Sequence, residues 1–330
     1  MVQPQKFFLI PNTLTHKHSW QRRPDATLPL RNKVRILMRS WAFCAVYCRD
    51  FLMNPPTPNT MPIAHTELAD ALCAASLQQR LAAAGCTLPV AVEHRCTSTN
   101  ARLLADAASG HPQVLFAEEQ TEGRGQRGRR WVTLPGHALT FSLRWYFNQA
   151  HTPIAGLPLA IGVGLANALH NAGAHAVRLK WPNDLLVGAA KLGGVLIESR
   201  PTAHGLCVVI GVGLNVLAQP DLQTQLRRPM IALEDFAPQM TQRNPLAAQL
   251  VLSLHQTLHQ FSQEGFSAFV ARWQALHAFQ GQRLHVRLAG GGRVAGAAEG
   301  VSAIGELLLR NRRGLRRIHS GHVMLSGAHA

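Results

Sequence analysis

The sequence predicts an α+β fold followed by a small all-β appendix, and three observations carry that expectation. Between Met61 and Gln280, stretches with apolar residues at helical spacing are interspersed with short alternating or wholly apolar runs. After Gly281 the texture changes to short alternating runs punctuated by glycine, the pattern of a β-barrel of about fifty residues. Before Met61 neither period is sustained. Three segments are therefore expected: 1–60, 61–280 and 281–330.

Residues 1–60 mix Arg, Pro and aromatics and end in Asn54-Pro55-Pro56-Thr57-Pro58-Asn59. Proline fixes φ and lacks an N–H, so this run opposes helix and sheet alike. A disordered extension is expected. An Arg-rich, acid-poor targeting peptide and a true start at Met53 or Met61 are the readings left open.

Thr66–Ala84, rich in Ala, Leu and Gln, reads as a helix stopped by Gly85. Leu88–Glu93 alternates as a strand, Asn100–Ala108 is a short helix, and Gln113–Ala117 is a buried strand. Ala138–Tyr146 is a longer strand. Ile154–Asn171 is an apolar helix ending before Gly173. Strands follow at Val177–Lys180, Asp184–Val187, Leu192–Glu198 and Leu206–Val216, then helices at Pro245–Ser262 and Phe266–His277. The appendix holds strands at Arg283–Leu288, Gly292–Gly300, Glu306–Arg310, Gly314–Ile318 and His322–Leu325.

At 47% hydrophobic and 15% charged residues the balance is globular. No apolar run reaches the roughly eighteen residues of a membrane span; Cys207–Ala218 is too short. The six cysteines show no C-x-x-C pair and no zinc spacing, which favours reduced thiols and a cytoplasmic location. No residue set reads as a metal site. The net charge of +16 suits polyphosphate partners, nucleic acid included. Nine basic residues face two acids in 1–60, and twenty-four face fifteen in the remainder. No helix-turn-helix, zinc finger or aromatic RNA-binding signature accompanies that charge, so DNA binding is not expected.

Chemistry concentrates in three places. Gly123-Arg124-Gly125-Gln126-Arg127-Gly128-Arg129-Arg130-Trp131 satisfies G-x-G-x-x-G by spacing. The dinucleotide reading fails, because loop and strand follow rather than a helix, and no acid lies about twenty residues on to hold a ribose. The sixty-one residues between Glu122 and Asp184 contain no Asp or Glu, yet include Arg124, Arg127, Arg129, Arg130, Arg144, Arg178 and Lys180. Glycines bring backbone N–H groups near an anion and arginines grip it, so anion binding is the better reading than a solvated basic loop. Lys180-Trp181-Pro182-Asn183-Asp184 places a strand-end lysine beside a stiff turn, though it is also ordinary turn chemistry. Cys96-Thr97-Ser98-Thr99-Asn100, between strand and helix, is an N-cap that could equally bind a polar head group.

In this order the clusters resemble the biotin–protein ligase family. The matched elements are Ser98-Thr99-Asn100, Gln120, the glycine–arginine loop, Lys180-Trp181-Pro182-Asn183-Asp184, Lys191-Leu192-Gly193-Gly194-Val195-Leu196-Ile197-Glu198 and Gly211-Val212-Gly213-Leu214-Asn215. The resemblance spans about residues 88–326 and includes the appendix. It implies a central mixed β-sheet flanked by helices, the class II synthetase-like biotin/lipoate ligase fold, with an SH3-like β-barrel at 281–330. It implies biotin activation by ATP with Mg²⁺, then transfer from biotinyl-5′-AMP to a lysine of a biotin carboxyl-carrier protein or domain, as in acetyl-CoA carboxylase. It assigns Arg124 and Lys180 to catalysis. Ser98, Thr99, Asn100, Gln120, Arg124, Gly125, Gln126 and Lys180 are assigned to biotin and biotinyl-AMP. Gly123, Arg127, Gly128, Trp131, Asn183, Asp184, Lys191 and Asn215 are further loop and nucleotide-side candidates. A homodimer is within what the family implies.

Three departures stand out. Residues 61–87 are too few for the DNA-binding helix-turn-helix that relatives often carry. Gln126 stands where many relatives have arginine, so faster escape of the activated intermediate is expected. His322 stands where an acid is common. The alternatives are a lipoate ligase or octanoyl transferase of related fold, or a nucleic-acid-binding regulator. The transferase needs a nucleophilic cysteine, for which Cys96 has no evident base.

Overall fold

A computed structural model describes residues 70–148, 153–226 and 228–325. The extension at 1–60 lies outside them. The elements run α1 (Ala74–Ala83), β1 (Val90–Cys96), α2 (Thr99–Ala105), β2 (Gln113–Gln120), β3 (Ala138–Phe147), α3 (Leu157–Asn171), β4 (Arg178–Lys180), β5 (Asp184–Val187), β6 (Ala190–Thr202), β7 (Gly205–Asn215), α4 (Pro220–Leu226), α5 (Arg243–Glu264) and α6 (Val270–Leu276). The appendix follows as β8 (Arg283–Arg287), β9 (Arg293–Val301), β10 (Leu307–Asn311), β11 (Gly314–Ile318) and β12 (His322–Leu325).

The first seven strands form one sheet in the order β1-β2-β3-β7-β6-β5-β4. Only β1–β2 is parallel, so the sheet is mixed as expected. Strand side chains alternate between faces, and the alternation sorts chemistry here. Leu139, Phe141, Leu143 and Trp145 of β3 and Val208, Ile210, Val212 and Leu214 of β7 join the main core with α1, α3 and α5. The intervening Thr140, Ser142 and Arg144 of β3 and Gly211 and Gly213 of β7 therefore belong to the opposite face, against α2. That face has its own small core of Leu103, Ala107, Leu115, Cys207 and Val209.

Several boundaries differ from the sequence reading. Helix α1 begins at Ala74, because the chain before it is held by side-chain bonds and Cys73 is extended; residues 66–69 of the expected helix lie outside the described residues. Glu118 accepts from Leu72 N (2.8 Å) and Asn244 from Cys73 N (2.9 Å). Strand β1 is displaced to Val90–Cys96, and α5 starts two residues early, at Arg243. The helix read over Phe266–His277 divides into a 3-10 turn, Phe266–Phe269, and α6. Helix α4 and a 3-10 turn at Gln126–Gly128 are short elements that no period announces.

Strands β8–β12 form a second, wholly antiparallel sheet in the order β11-β10-β9-β8-β12, as an SH3-like unit requires. Its edges β11 and β12 are not paired to each other among the described residues, so the ladder is open. Buried Trp181 Nε1 donates to Gly305 O (3.0 Å), fastening the β4–β5 turn to this second sheet. No helix among the described residues is long and apolar enough to cross a membrane.

Candidate active site

The cleft on the α2 face of the large sheet has two contiguous compartments that share Gly125, Gln126, Trp131, Asn183 and Lys191. The first is polar and begins at the N-terminus of α2. Ser98 caps that helix, accepting from Ala101 N at 3.4 Å, and it also lines the cleft. Cap and ligand contact are thus compatible. Gln120 Oε1 accepts from Thr99 N (2.8 Å) and Thr99 Oγ1 (3.1 Å). Asn100 Nδ2 donates to Glu198 Oε2 (2.9 Å), and its Oδ1 lies 2.6 Å from Ser142 Oγ. The other oxygen of Glu198 pairs with Arg124 at 3.2 Å. A network runs from β3 through α2 and β6 to the glycine–arginine loop, fixing each amide and hydroxyl in turn.

Space for this network comes from missing side chains on β7. A Cβ on Gly211 would sit 2.3 Å from Asn100 Oδ1, and one on Gly213 would sit 2.3 Å from the Trp131 ring. Glycine inside an otherwise buried strand marks such close approaches. Two donors in the compartment, Thr140 Oγ1 and Trp131 Nε1, are buried without protein partners. Buried polar groups are almost always satisfied, so these two point to a polar ligand group. Gly213→Val should displace the Trp131 indole and cost roughly 1–3 kcal/mol through overpacking. Urea unfolding and the biotin dissociation constant check this, and unchanged biotin binding would contradict the role given to Trp131.

The second compartment is cationic. The loop is a hairpin closed by Gly125 N→Arg129 O (2.7 Å) and Trp131 N→Gly123 O (2.9 Å). Gly123 serves this closure rather than lining the cleft, since a Cβ there would meet Trp131 O at 2.3 Å. Gly128, at φ +72°, and Arg127, at φ 61°, make the left-handed turn; only the Arg127 side reaches the cleft wall. A non-glycine residue held in that region is sparsely populated and concentrates at functional turns. Arg127, Arg129, Arg130, Lys180, Lys191 and Arg228 converge here with one carboxylate, Asp184, which is already ion-paired to Lys191.

Burial pulls the Lys180 ammonium below the ordinary lysine range; Asp184 opposes the shift, and Lys191 and Arg129 add to it. Burial likewise lowers Arg228, with Asp184 opposing and Arg129 assisting. Burial also lowers His322, assisted by Lys180, Arg129, Arg287 and Arg127. In all three burial is the largest cause, and an anion bound here would stabilise the charged forms that burial disfavours.

Not every cation of the acid-free stretch contributes. Arg144 is 2% exposed and closes the end of α2, donating to Asp106 Oδ2 (2.8 Å), Asp106 O and His111 O. Arg178 donates to the carbonyls of His175 and Val177. Asn215 lies in neither compartment. Its Nδ2 donates to Lys191 O (3.3 Å) and Ile231 O (3.1 Å), and it lines a separate hollow with Gln219 and Asp235. Sequence reasoning did not single out Thr140, Ser142 or Arg228. A polar pair inside the apolar strand Ala138–Phe147 was the available signal for the first two; Arg228 offered none.

Residues 93–215 match the model of the biotin/lipoate A/B protein ligase family. The bifunctional ligase/repressor BirA of Salmonella typhimurium is 35% identical over 72% of this chain and 75% of its own length. The biotin–[acetyl-CoA-carboxylase] ligase of Paracoccus denitrificans is 32% identical, over 71% of this chain and 99% of its own. A structure of the biotin protein ligase from Aquifex aeolicus in complex with biotin and ATP shares the fold at a TM-score of 0.61. Its identity is 24%, over 72% of this chain and 98% of that one. The network sits within residues 93–215, as does the cation-lined compartment apart from Arg228 and residues 321–323, and the chain belongs to the biotin–protein ligase family.

Proposed function

We propose that the chain ligates biotin to a lysine of a biotin-carrier protein in two steps through biotinyl-5′-AMP. A single observation carries this reading: a compartment of fixed amides and unpartnered buried donors opens directly into one lined by six cations. A neutral ureido head fits the first, with Thr99, Asn100, Gln120 and Thr140 as its hydrogen-bonding wall. The second suits phosphates. A biotin carboxylate oxygen attacks the α-phosphorus of ATP while the bond to pyrophosphate breaks. The acceptor amine then attacks the carbonyl carbon of the mixed anhydride, AMP leaves, and the amine loses its proton.

Neither step uses an enzyme nucleophile, so catalysis rests on positioning and on charge placed where negative charge develops. Lys180 is assigned to the α-phosphate, and Arg124 and Gln126 to the junction between compartments. Among the described residues no group of three or more His, Cys, Asp or Glu gathers to hold a metal. Mg²⁺ is accordingly assigned to the substrate, bound to the oxygens of ATP. The carrier domain of acetyl-CoA carboxylase is the proposed acceptor class. The cytoplasm is the proposed location, in keeping with the free thiols Cys73, Cys86, Cys96 and Cys207.

The related octanoyl transferase reading needs an ionised cysteine in the site. Burial, followed by Glu93, pushes the Cys96 thiol up to about 11, which leaves it protonated and inert. Arg124→Ala should cost roughly 1.5–3 kcal/mol in biotin-dependent ATP–pyrophosphate exchange, the range for a charge-assisted hydrogen bond. Arg310→Ala, on the exposed side of β10 and paired with Glu299, should leave exchange unchanged. Equal, small losses from both would remove the loop from the anion site.

A further inference from the structure

On the face of the sheet opposite the cleft, α5 carries two histidines one turn apart. Residues at i and i+4 share a helix face. The rings of His255 and His259 have centroids 4.5 Å apart, and their Nε2 atoms are 3.1 Å apart. Trp145 of β3, itself 9% exposed, packs edge-on against both rings at 5.8 and 5.0 Å. The indole thus forms one wall of the pair. His259 is exposed and His255 half-buried, so water and ions can reach the nitrogens.

Above about pH 7 ordinary imidazoles are neutral, and each then has one nitrogen lone pair. At 3.1 Å the two nitrogens either share a proton in an N–H···N hydrogen bond or turn both lone pairs toward one cation beside them. A metal ion bound at ~2.0–2.1 Å by two imidazoles in tetrahedral or octahedral geometry holds their nitrogens ~2.8–3.4 Å apart. The observed separation of 3.1 Å falls in that interval. We propose that His255 and His259 form a bidentate site for a late first-row divalent metal ion such as Zn²⁺, with water completing its coordination. Imidazole selects these ions over Mg²⁺, which prefers oxygen ligands. The site is therefore separate, in both place and chemistry, from the handling of MgATP.

The test is calorimetric titration of the full chain with Zn²⁺ in excess Mg²⁺, alongside His255→Ala, His259→Ala and the double variant. The chain has seventeen histidines, so the informative quantity is the difference between proteins rather than the total bound. Each single variant should lose one equivalent, or bind it at least ~10-fold more weakly, the lower end of what even outer-shell changes cost a metal site. The double variant should lose no more than either single one. Cu²⁺, bound more tightly in the same order, should quench Trp145 fluorescence in the wild type and lose that component in Trp145→Phe. Metal-free thermal midpoints equal to wild type establish that the variants fold. Wild-type stoichiometry and affinity in both single variants would overturn the site and leave the pair as a histidine–histidine hydrogen bond.

Discussion

Replacing Lys180 with alanine is expected to slow biotin adenylation by about 10²–10³-fold, the usual cost of removing one preorganised donor from a water-poor site. Lys180 ends β4 opposite Asp184, in a compartment where Lys191 and Arg130 already have partners of their own. Asp184 is engaged by Lys191, so it does not neutralise Lys180 completely. Burial already destabilises the Lys180 charge, and a phosphate arriving there gains what the protein withholds. The ureido wall lies in the other compartment, so Lys180→Ala should bind biotin alone within a few-fold of wild type while pyrophosphate exchange collapses. That split, binding retained and turnover lost, identifies a group acting in the transition state. Near-wild-type exchange in the variant would take Lys180 out of the chemistry.

The largest effect on stability is expected far from the reacting atoms. Arg243, 1% exposed at the start of α5, donates to both oxygens of buried Glu118 on β2, at 2.6 and 3.0 Å. It also meets the backbone of Asp70, and Glu118 holds Leu72 N. One ion pair therefore joins helix, sheet and the first described turn. Arg243→Ala strands a carboxylate in the core and should cost about 3–5 kcal/mol, whereas Arg243→Met with Glu118→Leu should recover most of that loss. Urea unfolding measures both. A single-variant loss below ~1 kcal/mol would mean that water reaches Glu118 and that this corner is not closed.

These two residues also mark where the sequence was legible. Lys180 stood out because a strand, a proline turn and an acid-free stretch framed it. Arg243 did not, because its partners Glu118 and Asp70 lie more than a hundred positions away, and a lone arginine before Asn244-Pro245 reads as a helix flank. The same distance effect hides partners of the acid-free stretch. Glu198, far along the chain, neutralises Arg124, and Asp106 claims Arg144. Periodicity located nearly every strand, since side-chain alternation is local. It could not show that Gly211 and Gly213 are vacancies for Asn100 and Trp131, because that depends on which strand lies beside which helix. The glycine–arginine loop was recognised by composition, yet its hairpin closure rests on two backbone bonds that no side chain announces.

The central claim is the ligation itself, and intact-mass measurement of the acceptor tests it most directly. The full chain is incubated with biotin, MgATP and the biotin-carrier domain of an acetyl-CoA carboxylase. The domain is expected to gain the mass of one biotinyl group on a single lysine, with AMP and pyrophosphate released and no gain when ATP is omitted. An unmodified carrier, or one that accepts a lipoyl or octanoyl group but not biotin under the same conditions, would contradict it.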